Sequence, residues 1–138
     1  MSADELEYVV TDALPDSYAH GAAQLILSAF PEFYEIFSQD TEEAIGAIRT
    51  SFYEATEINQ LVLAVSGGTP CGVLCYYDLA ERQARQAAGL LGLMRICSDG
   101  RVAMQRMRTL MPHFGHVVGA GVYVSRYSVD PKFWGCGI

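Results

Sequence analysis

The sequence lacks long hydrophobic runs and paired cysteine motifs. Although 51% of its 138 residues are hydrophobic, no segment reaches eighteen uninterrupted apolar residues, so no membrane span is predicted. The amino terminus is acidic and leads into no apolar stretch typical of a signal peptide, so we expect a cytoplasmic protein. The four cysteines, Cys71, Cys75, Cys97 and Cys136, show no C-x-x-C spacing. This pattern predicts free thiols and no metal site.

Basic residues are scarce in the first part of the chain. Of nine basic residues only Arg49 precedes residue 82, whereas 14 of the 16 acidic residues do. The acidic front argues against nucleic acid as a partner. The basic remainder fits a small phosphorylated ligand, or it only solvates helix faces.

Hydrophobic periodicity predicts one α+β domain over residues 1–138, with a mixed sheet and the order β-α-α-β-β-(α-α)-β. Asp16 or Ser17 and Thr41 are the predicted caps of the first two helices. Gly67-Gly68 predicts the turn of a hairpin. The predicted strands are residues 5–12, 59–66, 71–77 and 121–129, and the predicted helices are 16–30, 41–53, 79–97 and 101–111.

An aromatic cluster lies between the first two helices. Phe33, Tyr34 and Phe37 fall within five residues, beside Glu32 and Glu35. Two interpretations are open: a helical turn that fills the core, or an aromatic wall over a binding cleft whose carboxylates attract a cationic amine.

Two further patterns indicate a packed helix face and a solvated loop, and not a cofactor or metal site. Met104 and Met107 belong to an apolar stripe that indicates a core or partner-facing helix. His113 and His116 have no third metal ligand nearby, which favours a solvated loop.

The last eighteen residues, Gly121–Ile138, carry the most specific pattern. An alternating strand is broken at Asp130-Pro131 and followed by Gly135-Cys136-Gly137. A glycine-rich turn behind a strand can place backbone N–H groups against a phosphate.

This segment, SVDPKFWGCGI, resembles the fourth-strand region of the GNAT superfamily of acetyl-CoA-dependent N-acetyltransferases. Trp134 stands where that family usually has Gln or Arg, and Cys136 stands where Arg or Lys is common. The upstream order of elements, with its Gly-Gly hairpin, matches the same family. The resemblance implies the N-terminal portion of the acyl-CoA N-acyltransferase fold, truncated within the pyrophosphate loop.

The resemblance also implies roles for residues and ligands. Acetyl-CoA would be the co-substrate, without a metal, and the acceptor a small-molecule or peptide amine. The N–H of Ser128 or Val129 would polarise the thioester carbonyl, and Phe33, Tyr34 and Phe37 would line the acceptor cleft. Glu32, Glu35 and Tyr127 are candidates for the base. The pyrophosphate would contact Trp134, Gly135, Cys136, Gly137 and Ile138.

We therefore expect an N-acetyltransferase whose present chain is an incomplete and poorly active fragment. The alternative is a non-catalytic module that binds acyl-CoA or self-associates. In that case the edge of strand 121–129 would form a homodimer. A third possibility is an unrelated α/β protein that binds a phosphorylated ligand.

Overall fold

A computed structural model describes residues 6–110, 112 and 119–138 of the chain. Within these residues four strands and five helices form an α+β fold, which confirms the predicted class. His113 and His116, with Met111, lie outside the described residues. The elements are β1 (Leu6–Thr11), α1 (Asp16–Ala29), α2 (Pro31–Glu35), α3 (Thr41–Ser51), β2 (Leu61–Ser66), β3 (Thr69–Asp78), α4 (Arg82–Met94), α5 (Gly100–Leu110) and β4 (Val122–Val129).

The strands form one sheet in the order β1-β2-β3-β4. All three pairings are antiparallel, so the described residues contain no parallel pair and the sheet is not mixed. Cys75 lies opposite Leu61 on one side and Arg126 on the other. A register shift follows Cys75, where β3 and β4 form a bulge.

The two faces of the sheet differ in burial. One face packs against α1 and the helices around it, and its apolar side chains are 2% exposed or less: Leu61, Leu63, Val65, Val73 and Cys75. Because side chains alternate along a strand, Tyr8, Val10 and Tyr127 point to the opposite face. Each of these three is more than half exposed. Only the helix-covered face forms the core.

The β2–β3 hairpin is confirmed, with Gly67 and Gly68 in its turn. Their φ angles are 55° and 79°, a conformation that favours glycine at both positions. The turn fixes the pairs Ser66–Thr69 and Val65–Pro70, and a register shift after Val65 then places Ala64 opposite Gly72.

The predicted helix caps are wrong by one residue. α1 follows Pro15 without a side-chain cap, and the Asp16 carboxylate instead accepts a hydrogen bond from the Tyr53 hydroxyl. α3 is capped by Asp40, whose carboxylate accepts from the N–H groups of Glu42 and Glu43 at 2.9 and 3.3 Å, and not by Thr41. In both places a residue with capping potential lies beside the true boundary.

The predicted helix 79–97 is divided. A 3-10 turn occupies Leu79–Glu81 before α4 begins. In α5 the methionine stripe is only partly buried, because Ala103 and Met107 join the core while Met104 is exposed. Of the four free thiols, Cys71 and Cys75 are buried and the other two are half-buried.

Candidate functional site

A cleft of about 510 Å³ lies at the free edge of β4. Its walls are the end of α1 at Ser28 and Ala29, the last three residues of β4, and residues of the following tail, among them Trp134 and Ile138. The volume falls in the range of small-molecule sites. The described lining residues include no charged side chain, so the cleft can offer a ligand main-chain groups, neutral polar side chains and apolar contact.

The tail forms this wall because Asp130-Pro131 ends the strand and starts a 3-10 turn. The Asp130 carboxylate accepts from the N–H of Lys132 at 3.0 Å, and the Asp130 carbonyl accepts from the N–H of Phe133 at 2.8 Å. Gly135 and Gly137 then take φ values of 81° and 83°. These left-handed positions turn the chain back toward the sheet.

Some backbone N–H groups of the tail donate hydrogen bonds within the tail, and others do not. Those of Trp134 and Cys136 donate to the carbonyls of Pro131 and Phe133 at 3.2 and 3.1 Å. Within the described part of the chain, the N–H groups of Gly135, Gly137 and Ile138 have no acceptor. Three unpaired donors on the wall of one cleft can bind an anion.

The register of β4 shows which strand amides point toward the cleft. The Asp130 N–H donates to the Cys71 carbonyl at 2.8 Å, so Asp130 faces β3. Hydrogen-bonded and non-bonded pairs alternate in an antiparallel ladder. Ser128 therefore directs its N–H toward β3, whereas Tyr127 and Val129 direct theirs to the free edge. Of the two predicted donors to a carbonyl, Val129 has the suitable direction.

Two side chains that line the cleft hydrogen-bond to main-chain oxygens of β4 and the tail. The Trp134 Nε1–H donates to the Val129 carbonyl at 3.0 Å, and the Tyr127 hydroxyl donates to the main-chain oxygen of Ile138 at 3.4 Å. Ile138 lies over Gly72, where an added Cβ would be 2.9 Å from the Ile138 Cγ2. The absence of a side chain at Gly72 therefore gives the tail its position on the sheet.

Six of the seven predicted cofactor residues line this cleft. They come from β4 and from the glycine turn: Ser128, Val129, Trp134, Gly135, Gly137 and Ile138. Cys136 does not line it, and its N–H is used within the turn. Tyr127 is the one base candidate that lines the cleft, since Glu32 and Glu35 point to solvent outside it.

The predicted acceptor wall lies elsewhere. Phe33, Tyr34 and Phe37 are 9, 3 and 3% exposed and belong to the core, so they do not line the cleft. Edge-on contacts with ring centroids 5.2 and 5.7 Å apart join Phe33 to the other two rings. The segment matches the interpretation of a helical turn that fills the core.

A buried ion pair beside these rings was not predicted. Arg126 of β4 donates from Nη2 to Glu57 Oε1 at 2.6 Å and from Nε to the Tyr34 hydroxyl at 3.3 Å. Its guanidinium lies 5.4 Å from the centroid of the Phe33 ring. The Phe33 ring and the Glu57 carboxylate, which could suit a cationic amine, are thus already satisfied by a cation of the chain itself.

Burial is the largest single influence on the pKa of each titratable group in this cluster. It raises the pKa of the Glu57 carboxyl, although Arg126 and, more weakly, Arg82 act to lower it. Burial also raises the pKa of Tyr34, against the lowering effect of Arg126. Burial works to lower the pKa of Arg126, but Tyr34 and Glu57 raise it above its ordinary value, so the guanidinium stays charged.

The cluster has no room for a ligand. The cavity beside Glu57 and Arg126 measures about 10 Å³, the space of one water molecule. Its chemistry is therefore structural: it holds the loop around Glu57 against β4. Strand alternation alone places Arg126 on the inner face with Ser128, but the sequence offers no signal that its partner lies 69 residues away.

In residues 6–110, 112 and 119–138, no group of three or more His, Cys, Asp or Glu side chains could hold a metal ion. None of the helices in the same residues is long and apolar enough to cross a membrane.

Comparison with known proteins does not place the chain in a family. No protein-family model matches the sequence, and no curated protein matches it significantly. Any functional assignment must therefore stand on the cleft itself.

Proposed function

We propose that the chain binds acetyl-CoA in the cleft at the edge of β4 and transfers the acetyl group to a primary amine. The observation that carries this proposal is the set of unpaired N–H groups at Gly135, Gly137 and Ile138, in the same cleft as the outward N–H of Val129. The first three suit a pyrophosphate and the fourth suits a thioester carbonyl.

In the proposed reaction the amine nitrogen attacks the carbonyl carbon of the thioester. The Val129 N–H stabilises the oxyanion as the new C–N bond forms. The C–S bond then breaks, and CoA leaves as the thiolate. The attacking nitrogen loses one proton as the C–N bond forms, and the Tyr127 hydroxyl, the candidate that lines the cleft, relays it to the thiolate so that CoA is released as the thiol. Much of the rate comes from holding the two reactants together.

Binding is expected to be weak for a CoA ester. The N–H groups of the turn supply partial positive charge, but the described lining provides no Lys or Arg to pair with phosphate. Slow turnover is the expected consequence.

Trp134 makes the binding step measurable, because it is the only tryptophan, lies in the cleft and is 71% exposed. Titration with acetyl-CoA should change its fluorescence, whereas titration with acetate should not. Release of free thiol in the presence of a panel of primary amines then tests transfer. Unchanged fluorescence up to millimolar acetyl-CoA would reject the proposal.

Glycine variants provide a matched pair for the phosphate contacts. Gly137→Ala and Gly67→Ala both place a side chain at positive φ with no atom within 4 Å, so each should lower the free energy of unfolding by about 1–2 kcal/mol. Only Gly137→Ala should weaken acetyl-CoA binding, since Gly67 lies in the β2–β3 turn. Equal affinities in the two variants would contradict the assigned role of the turn.

A non-catalytic, self-associating module is the second candidate. It is favoured by the edge of β4, which has no partner strand among the described residues and exposes Val122 and Val124. A concentration-dependent dimer in sedimentation that Val124→Lys abolishes would support it. Acetyl-CoA binding without thiol release would instead favour a module that binds acyl-CoA without turnover.

A further inference from the structure

Glu57 contacts two consecutive residues of β4 by different atoms. Its carbonyl oxygen accepts from the Ser125 hydroxyl, and its carboxylate accepts from Arg126 at 2.6 Å. Arg126 in turn donates from Nη1 to the Ser125 carbonyl at 2.8 Å. One loop residue therefore restrains both the backbone position and the side chain of this part of the strand.

The restrained residues lie at the bulge of β4. The ladder with β3 shifts register between Cys75, opposite Arg126, and Tyr76, opposite Val124. An extra residue at a bulge leaves the strand locally unpaired and able to bend. The cleft begins at the next residue, Tyr127. Any rotation at the bulge would therefore turn the outward N–H of Val129 relative to the tail.

The loop that carries Glu57 is itself fixed. Thr56 is fully buried and donates from its hydroxyl to the Ser51 carbonyl at 3.0 Å. Arg85 of α4 donates to the Thr56 carbonyl at 2.7 Å and to Asn59 Oδ1 at 2.6 Å. The loop is thus held from α3 and α4, so Glu57 restrains β4 from a rigid base.

We propose that Glu57 is a positioning residue for the cleft, which fixes the bulge of β4 through Ser125 and Arg126 and so sets the direction of the Val129 N–H. The consequence for acetyl-CoA rests on the proposed function, whereas the restraint of β4 does not. Glu57 lies outside the lining of the cleft and acts only through β4.

Amide hydrogen exchange in the ligand-free protein tests the restraint. Because Glu57→Ala removes a buried hydrogen bond between charged groups, it should speed exchange of the Ser128 amide by about tenfold or more. Amides of the β1–β2 ladder should change much less. In Glu57→Gln the side-chain amide oxygen can still accept from Arg126. The exchange rate of the Ser128 amide in this variant should therefore lie between those of wild type and Glu57→Ala.

Glu54→Ala is the matched control, because Glu54 lies on the same loop and pairs with Arg95 at 3.1 Å on the surface. It should leave exchange at Ser128 unchanged. The proposal would be overturned if Glu57→Ala sped amide exchange equally in the β3–β4 and β1–β2 ladders. It would also be overturned if Glu54→Ala sped exchange of the Ser128 amide as much as Glu57→Ala does. Should Glu57→Ala not fold, Ser125→Ala must still show a local rise at Ser128, and its absence overturns the proposal as well.

Acetyl-CoA titration separates this inference from the proposed function. If wild type binds, Glu57→Ala should lose affinity while Glu54→Ala does not. Equal affinities would overturn the positioning role. If wild type does not bind acetyl-CoA, the proposed function fails, and the exchange experiment alone decides whether Glu57 sets the geometry of β4.

Discussion

The two sides of β4 perform different tasks with alternate residues of one strand. Arg126 and Ser128 turn inward, where the guanidinium is satisfied by Glu57 and the Phe33 ring. Tyr127 and Val129 turn outward, where a cleft of about 510 Å³ contains unpaired N–H groups. The inner side carries a charged pair but no cavity large enough for a ligand. The cleft has such a cavity, but its described lining carries no charged side chain. Ligand chemistry is therefore expected only at the outer side.

The largest expected effect comes from removing the buried ion pair on the inner side of β4. Arg126→Met leaves the Glu57 carboxylate buried without its partner, which should lower the free energy of unfolding by about 3–5 kcal/mol in urea denaturation. Arg95→Met removes a surface pair of similar length, with the Arg95 side chain 65% exposed against 20% for Arg126. That control should cost about 0–1 kcal/mol. Equal losses would show that the inner pair is no more isolated from water than the surface one.

Measuring the free energy of unfolding as a function of pH tests whether Glu57 is buried. Because burial raises the pKa of Glu57, the folded state binds its proton more tightly than the unfolded state does. The stability that this tighter proton binding contributes is fully present below the pKa of Glu57 in the unfolded state. It is lost as pH rises through the pKa of Glu57 in the folded state. Relative to Glu57→Gln, the wild-type free energy of unfolding should therefore fall as pH rises from about 4 toward neutrality. Glu54→Gln provides the exposed control, and a difference between wild type and Glu57→Gln that is independent of pH would refute the assignment.

The smallest expected effect concerns the thiols of the two sides. Cys75, opposite Arg126, has its pKa raised to about 12 by burial and should resist alkylation at pH 8. The half-buried Cys97 and Cys136 should react, as mass spectrometry of peptides can show. Saturating acetyl-CoA should slow alkylation of Cys136, which lies between the lining residues Gly135 and Gly137, but not that of Cys97. Rapid alkylation of Cys75 in the native protein would mean that the inner side opens.

Local structure was largely predictable where local forces decide it. Gly67-Gly68 identified the hairpin because two adjacent glycines tolerate positive φ at low cost. Helix starts were less certain, since Asp40 and Thr41 can both cap and only the folded backbone selects Asp40. The glycine turn at residues 135–137 was predicted for the same local reason as the hairpin.

Contacts between distant segments were not predictable. Glu32 and Glu35, the carboxylates nearest the aromatic cluster in sequence, point to solvent, while Glu57 reaches that cluster through space. Periodicity assigns a side chain to a face but not to a neighbour, because pairing depends on the register between strands and on helix packing.

The sequence by itself determined the α+β class, the antiparallel hairpin, the strand break at Asp130-Pro131 and the glycine turn that follows it. These follow from local preferences of the backbone and from side-chain alternation. Only the tertiary structure decided that the N–H of Val129 and not that of Ser128 is directed to the free edge of β4, that Phe33 and Tyr34 are core, and that Arg126 pairs with Glu57. The physical reason is that burial and hydrogen-bond partners become defined only when the register of β4 against β3 is fixed.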